Sequence, residues 1–316
     1  MTGDRIELAV HDHGGDGPPL LLLHGAGRTL ADWAAVAPLL TPRHRVLAVD
    51  LRGHGLSPSG TWSLPRVIED IEGVLEEYGL PGALPVGHSL GGMVAVRYAL
   101  DHPRVTPGAA NLDGYGWGRP DQYVDLDPAQ VAERLVQVRK SATAALPGLP
   151  LPADGLQTLL AQQRALSEQL GVPYELLEAA LMRSVGHTPD GRLELRPRHE
   201  YALEMLAEID SLDLFGLFAR MDRPLLLGRA LRPVPPVPGK DWFDDLMTAY
   251  GKGLARDLTA LAEQRAHVRV VGIDGTHAML LENPGAVADA ILAFAAEALT
   301  GSPSAPPRHA LPEPGE

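Results

Sequence analysis

The segment ALPVGHSLGGMVAVRYAL sets Gly87-His88-Ser89-Leu90-Gly91 between a short apolar run and a run of helical period. A serine in a sharp strand-to-helix turn is forced into a strained backbone conformation, and only glycines on either side avoid colliding with it. Such a turn lifts Ser89 to the carboxyl end of a sheet, over the positive end of the following helix, where it is placed to act as a nucleophile. The bland alternative is a glycine-rich turn without chemistry; the flanking strand and helix count against it. Upstream, PLLLLHGAGRTLADW places His24-Gly25-Ala26-Gly27 after a second apolar run. A tight turn there would bring the amide of Ala26 near Ser89, so that the backbone N–H groups of Ala26 and Leu90 form an oxyanion hole for a tetrahedral intermediate. A phosphate-binding loop is excluded, because HGAGRT lacks the Gly-Lys-Ser/Thr ending such loops need.

The elements that must position these groups follow from the alternation of short β-rich runs with longer helical ones, the pattern of a mostly parallel, doubly wound α/β sheet covered by helices. Strands are expected at Arg5 to His11, Pro19 to Leu23, Arg45 to Asp50, Leu84 to Gly87, Ala109 to Leu112, Pro224 to Gly228 and His267 to Ile273. Helices are expected at Leu30 to Leu40, Pro65 to Tyr78, Leu90 to Asp101, Trp242 to Arg265 and Pro284 to Leu299. Residues 1–113 and 221–300 then form the core, while 114–220, rich in Leu, Ala and Gln, read as an inserted helical cap with a hairpin turn at PDGRLEL. Residues 301–316, GSPSAPPRHALPEPGE, have almost nothing to bury and read as a disordered tail.

Composition limits the partners. The 316 residues carry 27 basic and 40 acidic side chains, a net charge of −13 that disfavours nucleic acid. The absence of cysteine removes disulfides, thiolate nucleophiles and sulfur-ligated metals. The start MTGDRIELAV has neither a basic n-region nor an apolar h-region, and no apolar run reaches bilayer length, so a cytoplasmic protein without a membrane partner is expected. His11 and His13 alternate on an edge strand and only superficially suggest a metal pair; no metal or cofactor is implied. Oligomeric state is not legible.

These motifs, with DLRGHGLS (Asp50 to Ser57), VGHSLGG (Val86 to Gly92) and DGTHAMLLENP (Asp274 to Pro284), resemble the α/β-hydrolase superfamily in its esterase and lactonase branch with a helical cap. They recur in the family's order from about residue 5 to residue 299, with the cap unmatched and one strand fewer at the start. The resemblance implies that His277, in the loop after the last strand, is the base that takes the Ser89 proton and returns it to the leaving group. Histidines 24, 54 and 88 lie in family loops where local hydrogen bonds are expected.

The resemblance also calls for a carboxylate behind the histidine, and many relatives carry it after the penultimate strand. Here that loop is GRALRPVPPVPG, with Ala230, Leu231 and Arg232 at the expected places and Asp241 distant along a proline-stiffened chain. Two readings follow: a dyad or inactive site, or an acid supplied by another strand, since a triad is defined by geometry. Asp113, ending the preceding strand in NLDG, matches the strand end that haloalkane dehalogenases and certain lactonases use; its plain alternative is a turn aspartate before glycine. GYGWG beyond it leads into the cap, where Tyr115 and Trp117 are candidates to line a substrate pocket.

Serine, histidine and two amides point to acyl transfer to water through an acyl-serine intermediate. An aliphatic cap favours a medium-sized apolar ester or lactone as the small-molecule substrate. Thioester release, perhydrolysis or carbon–carbon cleavage by the same groups stands beside it, as does a receptor-like binding protein with little turnover.

Overall fold

Leu20, Leu21, Leu22 and Leu23 are all fully buried, which an isolated half-buried strand does not allow. A parallel strand with helices on both faces does, because successive side chains enter opposite cores. In the computed structural model, which describes residues 5–144, 146, 150–233, 239 and 241–300, this run is an inner strand of a seven-stranded sheet. The strands are β1 (Val10–Gly14), β2 (Pro19–Leu23), β3 (Arg45–Val49), β4 (Leu84–His88), β5 (Ala109–Leu112), β6 (Val185–His187), β7 (Leu193–Leu195), β8 (Leu225–Ala230) and β9 (Val268–Ile273). The main sheet runs β1-β3-β2-β4-β5-β8-β9, parallel throughout except for β1 on its edge, and β6 with β7 forms a separate antiparallel hairpin.

The helices are α1 (Ala37–Leu40), α2 (Leu64–Glu77), α3 (Leu90–Asp101), α4 (Pro128–Ala144), α5 (Gly155–Leu170), α6 (Tyr174–Ser184), α7 (His199–Ser211), α8 (Leu214–Arg220), α9 (Asp241–Gln264), α10 (Met279–Glu282) and α11 (Pro284–Thr300). On one face Leu21 and Leu23 join Ile71, Val94 and Leu258 of α2, α3 and α9; on the other Leu20 and Leu22 join Trp33, Leu40, Ile291 and Phe294. Each buried leucine contributes about 1.5–3 kcal/mol of burial.

Two expectations are corrected. The first strand is Val10–Gly14, not Arg5 to His11: Ile6 and Ala9 give their amides to the side chains of Asp70 (2.9 Å) and Ser57 (2.8 Å) instead of to a neighbouring strand. The segment Leu30 to Leu40 is a 3-10 turn over Leu30–Trp33, with the Thr29 hydroxyl accepting from the Ala31 amide, followed by the one-turn α1; Pro38 has no amide to give to residue 34, so one unbroken helix cannot run through it. The proline-rich tail, 301–316, lies outside the described residues. Among those residues no helix is long and apolar enough to cross a membrane.

Between β5 and β8 the chain carries α4 to α8 and the β6–β7 hairpin, whose turn falls in the PDGRLEL segment. This insert is bound to the loop after β3. Arg183 of α6 reaches Asp50 at 2.8 Å, Arg196 donates to the carbonyls of Gly55 (3.0 Å) and Ser57 (3.2 Å), and Glu204 accepts from the Trp62 amide (2.6 Å). Asp50 is fully buried and also accepts from the amides of Leu30 and Leu56.

Candidate active site

Sterics alone set the turn at Ser89. A Cβ on Gly87 would stand 2.0 Å from the carbonyl carbon of Gly91, and one on Gly91 would stand 2.2 Å from the Leu23 oxygen, so neither position admits a side chain. Ser89 itself sits at φ 54°, ψ −121°, strained for a residue with a Cβ, and its amide is fixed on Leu112 O at 2.8 Å. Leu90 opens α3, so its N–H has no carbonyl four residues back within the helix.

The loop after β2 packs directly on this turn: a Cβ on Gly25 would meet the Ser89 Cβ at 3.2 Å. Two buried histidines shape that loop. His24 Nε2 accepts from the Leu51 amide (2.9 Å) while its Nδ1–H donates to Gly25 O (2.8 Å); His54 Nε2 accepts from the Gly27 amide (3.1 Å) while its Nδ1–H donates to Arg52 O (3.0 Å). Burial pushes His24 down to about 4 and His54 down to about 3, the latter helped by the facing His24 ring, so both stay neutral and keep the lone pairs these amides use. Ala26 is exposed at the tip of this loop.

Asp113 and His277, 164 residues apart, meet at 2.7 Å through Oδ2 and Nδ1. The other carboxylate oxygen accepts from the amide of Ala230 at 3.0 Å. The strand end that carries no acid, Ala230 of β8, thus supplies a backbone donor to the acid on the neighbouring strand. Asp113 adopts φ 55°, a region that aspartate and asparagine tolerate better than most residues. Its turn is clamped by Asn111, whose amide group exchanges two 2.8 Å bonds with the N–H and C=O of Gly114. Burial alone would raise the Asp113 pKa, but the hydrogen bond and charge of His277 outweigh it and hold the carboxyl below its usual range.

The His277 loop is pinned from behind. Glu282 accepts from the Thr276 amide (2.5 Å), and Arg232 bridges Asp274 (3.2 Å) and Glu282 (3.4 Å). The backbone of the loop after β8 adds bonds from Leu231 N to Ile273 O and from Arg232 N to Gly275 O, each 3.0 Å. His88, expected to bond locally, instead donates Nε2–H to the His277 carbonyl at 2.9 Å, with the two rings 4.7 Å apart. Burial pushes His88 down to about 4, so it stays neutral beside His277. The contacts of Asn111, Glu282 and Arg232 and the reach of His88 escaped the sequence reading; the only local signal was a glutamate five residues after His277.

The aromatic candidates lie elsewhere. Tyr115 is buried and donates its hydroxyl to Gly228 O at 2.8 Å, and with Trp117 it lines a cavity of about 320 Å³ whose wall includes neither Ser89 nor His277. Among the described residues no three ligating side chains gather as a metal site, and the His11 and His13 rings meet edge to face at 4.2 Å.

A model of the alpha/beta hydrolase fold matches residues 18–172. The pimeloyl-[acyl-carrier protein] methyl ester esterase of Methylococcus capsulatus is 33% identical over 254 residues, 79% of this chain and 86% of that one. The chain belongs to the α/β-hydrolase family. The magnesium-chelatase 30 kDa subunit of Rhodobacter capsulatus is a further relative of this hydrolase, 30% identical over 239 residues that span 73% of this chain and 77% of the other. Among solved structures, E-2-(acetamidomethylene)succinate hydrolase superposes on the hydrolase with a TM-score of 0.66 over 92% of this chain and 96% of that one; at 21% identity the likeness concerns the fold.

Proposed function

We propose that this hydrolase is a serine enzyme cleaving a medium-sized apolar ester or lactone through an acyl-serine intermediate. Ser89 is the nucleophile, His277 the general base and then acid, and Asp113 the carboxylate that fixes the His277 tautomer with Nε2 free to take the serine proton. The amides of Ala26 and Leu90 stabilise the oxyanion, and residues 114–220 act as a helical cap over the core formed by 1–113 and 221–300. The observation that carries the reading is the 2.7 Å bond between Asp113 and His277, next to a serine at positive φ. Ester substrates are further supported by the methyl ester esterase that aligns over most of its length.

The reaction runs in two halves. Ser89 Oγ attacks the acyl carbon as its proton passes to His277; collapse of the tetrahedral intermediate expels the alcohol, protonated by His277, and water repeats the sequence to free the acid. A fluorophosphonate probe tests this directly: covalent labelling of the wild-type protein, absent in Ser89→Ala, is expected together with release of acid and alcohol from a panel of esters and lactones. Folded wild-type protein that takes no label would sink the serine mechanism.

A further inference from the structure

Beside the loop that holds Ala26 lies a cavity of about 170 Å³, closed on its far side by the insert. Leu159, Ala180, Leu181 and Leu195 give it apolar walls, and Arg28 and Arg196 stand among them. The arginines nearby differ in what balances their charge. Arg28 is clamped by Asp32 through two bonds of 2.8 and 2.6 Å, and Arg183 is paired with Asp50. Arg196 has no carboxylate partner among the described residues: one terminal nitrogen donates to the carbonyls of Gly55 and Ser57, and its Nε is buried with no hydrogen-bond partner. A Cβ on Gly186 would stand 2.7 Å from that Nε, so the guanidinium lies close against the hairpin backbone, held in place. A half-buried, immobilised cation without a counter-ion is costly until an anion reaches it.

The cavity adjoins the loop that packs on Ser89, and its wall, like that of the larger cavity, includes neither Ser89 nor His277. Gly27, in its wall, is two residues from Gly25, and a methyl group on Gly25 would touch both the Ser89 Cβ (3.2 Å) and the Arg28 Cγ (3.6 Å). Gly25 thus lies between Ser89 and the Arg28 stem, and from Arg28 the cavity leads along the leucines of its wall to Arg196.

We propose that the substrate carries a carboxylate, separated from the scissile ester by a short apolar chain, and that Arg196, with Arg28 beside it, holds that carboxylate in this cavity. The proposal rests on the serine-esterase reading and narrows its apolar substrate to the half-ester of a dicarboxylic acid. The carboxylate takes no part in bond making; it sets which acyl chain presents its carbonyl to Ser89.

The test compares the wild-type enzyme on monomethyl adipate and on methyl hexanoate, equal in acyl length and differing in the terminal charge. A preference of about ten-fold or more in kcat/KM for the half-ester is expected, the scale of a charge-assisted hydrogen bond, declining as salt is raised and expressed mainly in KM. Arg196→Met should erase the preference and Arg196→Lys restore part of it. Equal or reversed preference in the wild type, or a preference that survives Arg196→Met, overturns the subsite. If Arg196→Met does not fold, competition by adipate against hexanoate ester turnover in the wild type decides instead: inhibition supports the subsite and its absence refutes it. Should neither ester turn over, the esterase reading fails separately, and calorimetric binding of the two esters to Ser89→Ala still gives unequal affinities if the subsite exists and equal ones if it does not.

Discussion

Two groups of histidine surround Ser89, and the chain treats them in opposite ways. His24, His54 and His88 are buried, each with at least one nitrogen committed to a backbone group and each with its pKa pushed down to about 3 or 4. His277 leaves half of its side chain exposed and has a carboxylate on Nδ1. The first group serves as neutral hydrogen-bonding framework: two rings shape the loop that carries Ala26, and the third holds the backbone of the fourth. What separates a framework imidazole from a proposed proton carrier is therefore the partner. Backbone amides use the lone pairs of His24 and His54 and a carbonyl takes the His88 N–H, as suits neutral rings, whereas a carboxylate stabilises a ring once it has gained a proton.

The contrast can be broken most sharply at the carboxylate. Asp113→Asn suits the positive φ of that turn and keeps the fold, yet removes the charge behind His277 and lets the ring settle in the wrong tautomer; kcat on a good ester should fall about 10³–10⁴-fold, with little change in melting temperature. Turnover within a few-fold of wild type would return Asp113 to a turn residue.

The framework histidines make a smaller prediction of a different kind, in stability. Their folded pKa values lie below the ordinary 6.5, so between pH 6.5 and about 4 the unfolded chain binds more protons than the folded one. Stability present above pH 6.5 is thus lost as the pH falls through this window, by roughly 2 kcal/mol per ring between pH 7 and pH 5. Urea unfolding at the two pH values checks it; a midpoint that does not move would mean these rings are not held neutral. Asp113, with its carboxyl below the usual range, adds a loss at lower pH still.

The smallest effect is expected where the two groups touch. His88→Phe removes the donor to the His277 carbonyl and should lower kcat about ten-fold while KM changes little, with partial recovery in His88→Gln, which can still donate. Loss confined to stability, with kcat intact, would make His88 a core residue and no more.

The parts legible in the sequence are those where one short segment carries its own steric demand. Gly87 and Gly91 announce the serine turn because no side chain fits there, and NLDG marks a turn residue at a strand end. The vacancy at Ala230 was visible, but its use as an amide donor to Asp113 was not, since backbone bonds between strands leave no trace in residue type. Arg232 with Glu282, and Asn111 with Gly114, stayed hidden for the related reason that a polar residue does not reveal its partner. The first strand was misplaced because its alternation continues through residues whose amides turn to Asp70 and Ser57.

Asp50 carries a consequence for how this molecule can be rebuilt. It follows β3 of the main sheet, is fully buried, and takes its cationic partner, Arg183, from the segment between β5 and β8. Grafting a foreign insert onto this sheet strands that anion unless the replacement brings a guanidinium to the same spot, at a penalty of about 3–5 kcal/mol where the new insert keeps it buried. The two parts are contiguous in the chain but not interchangeable modules: whoever recombines them must transfer one arginine along with the seam.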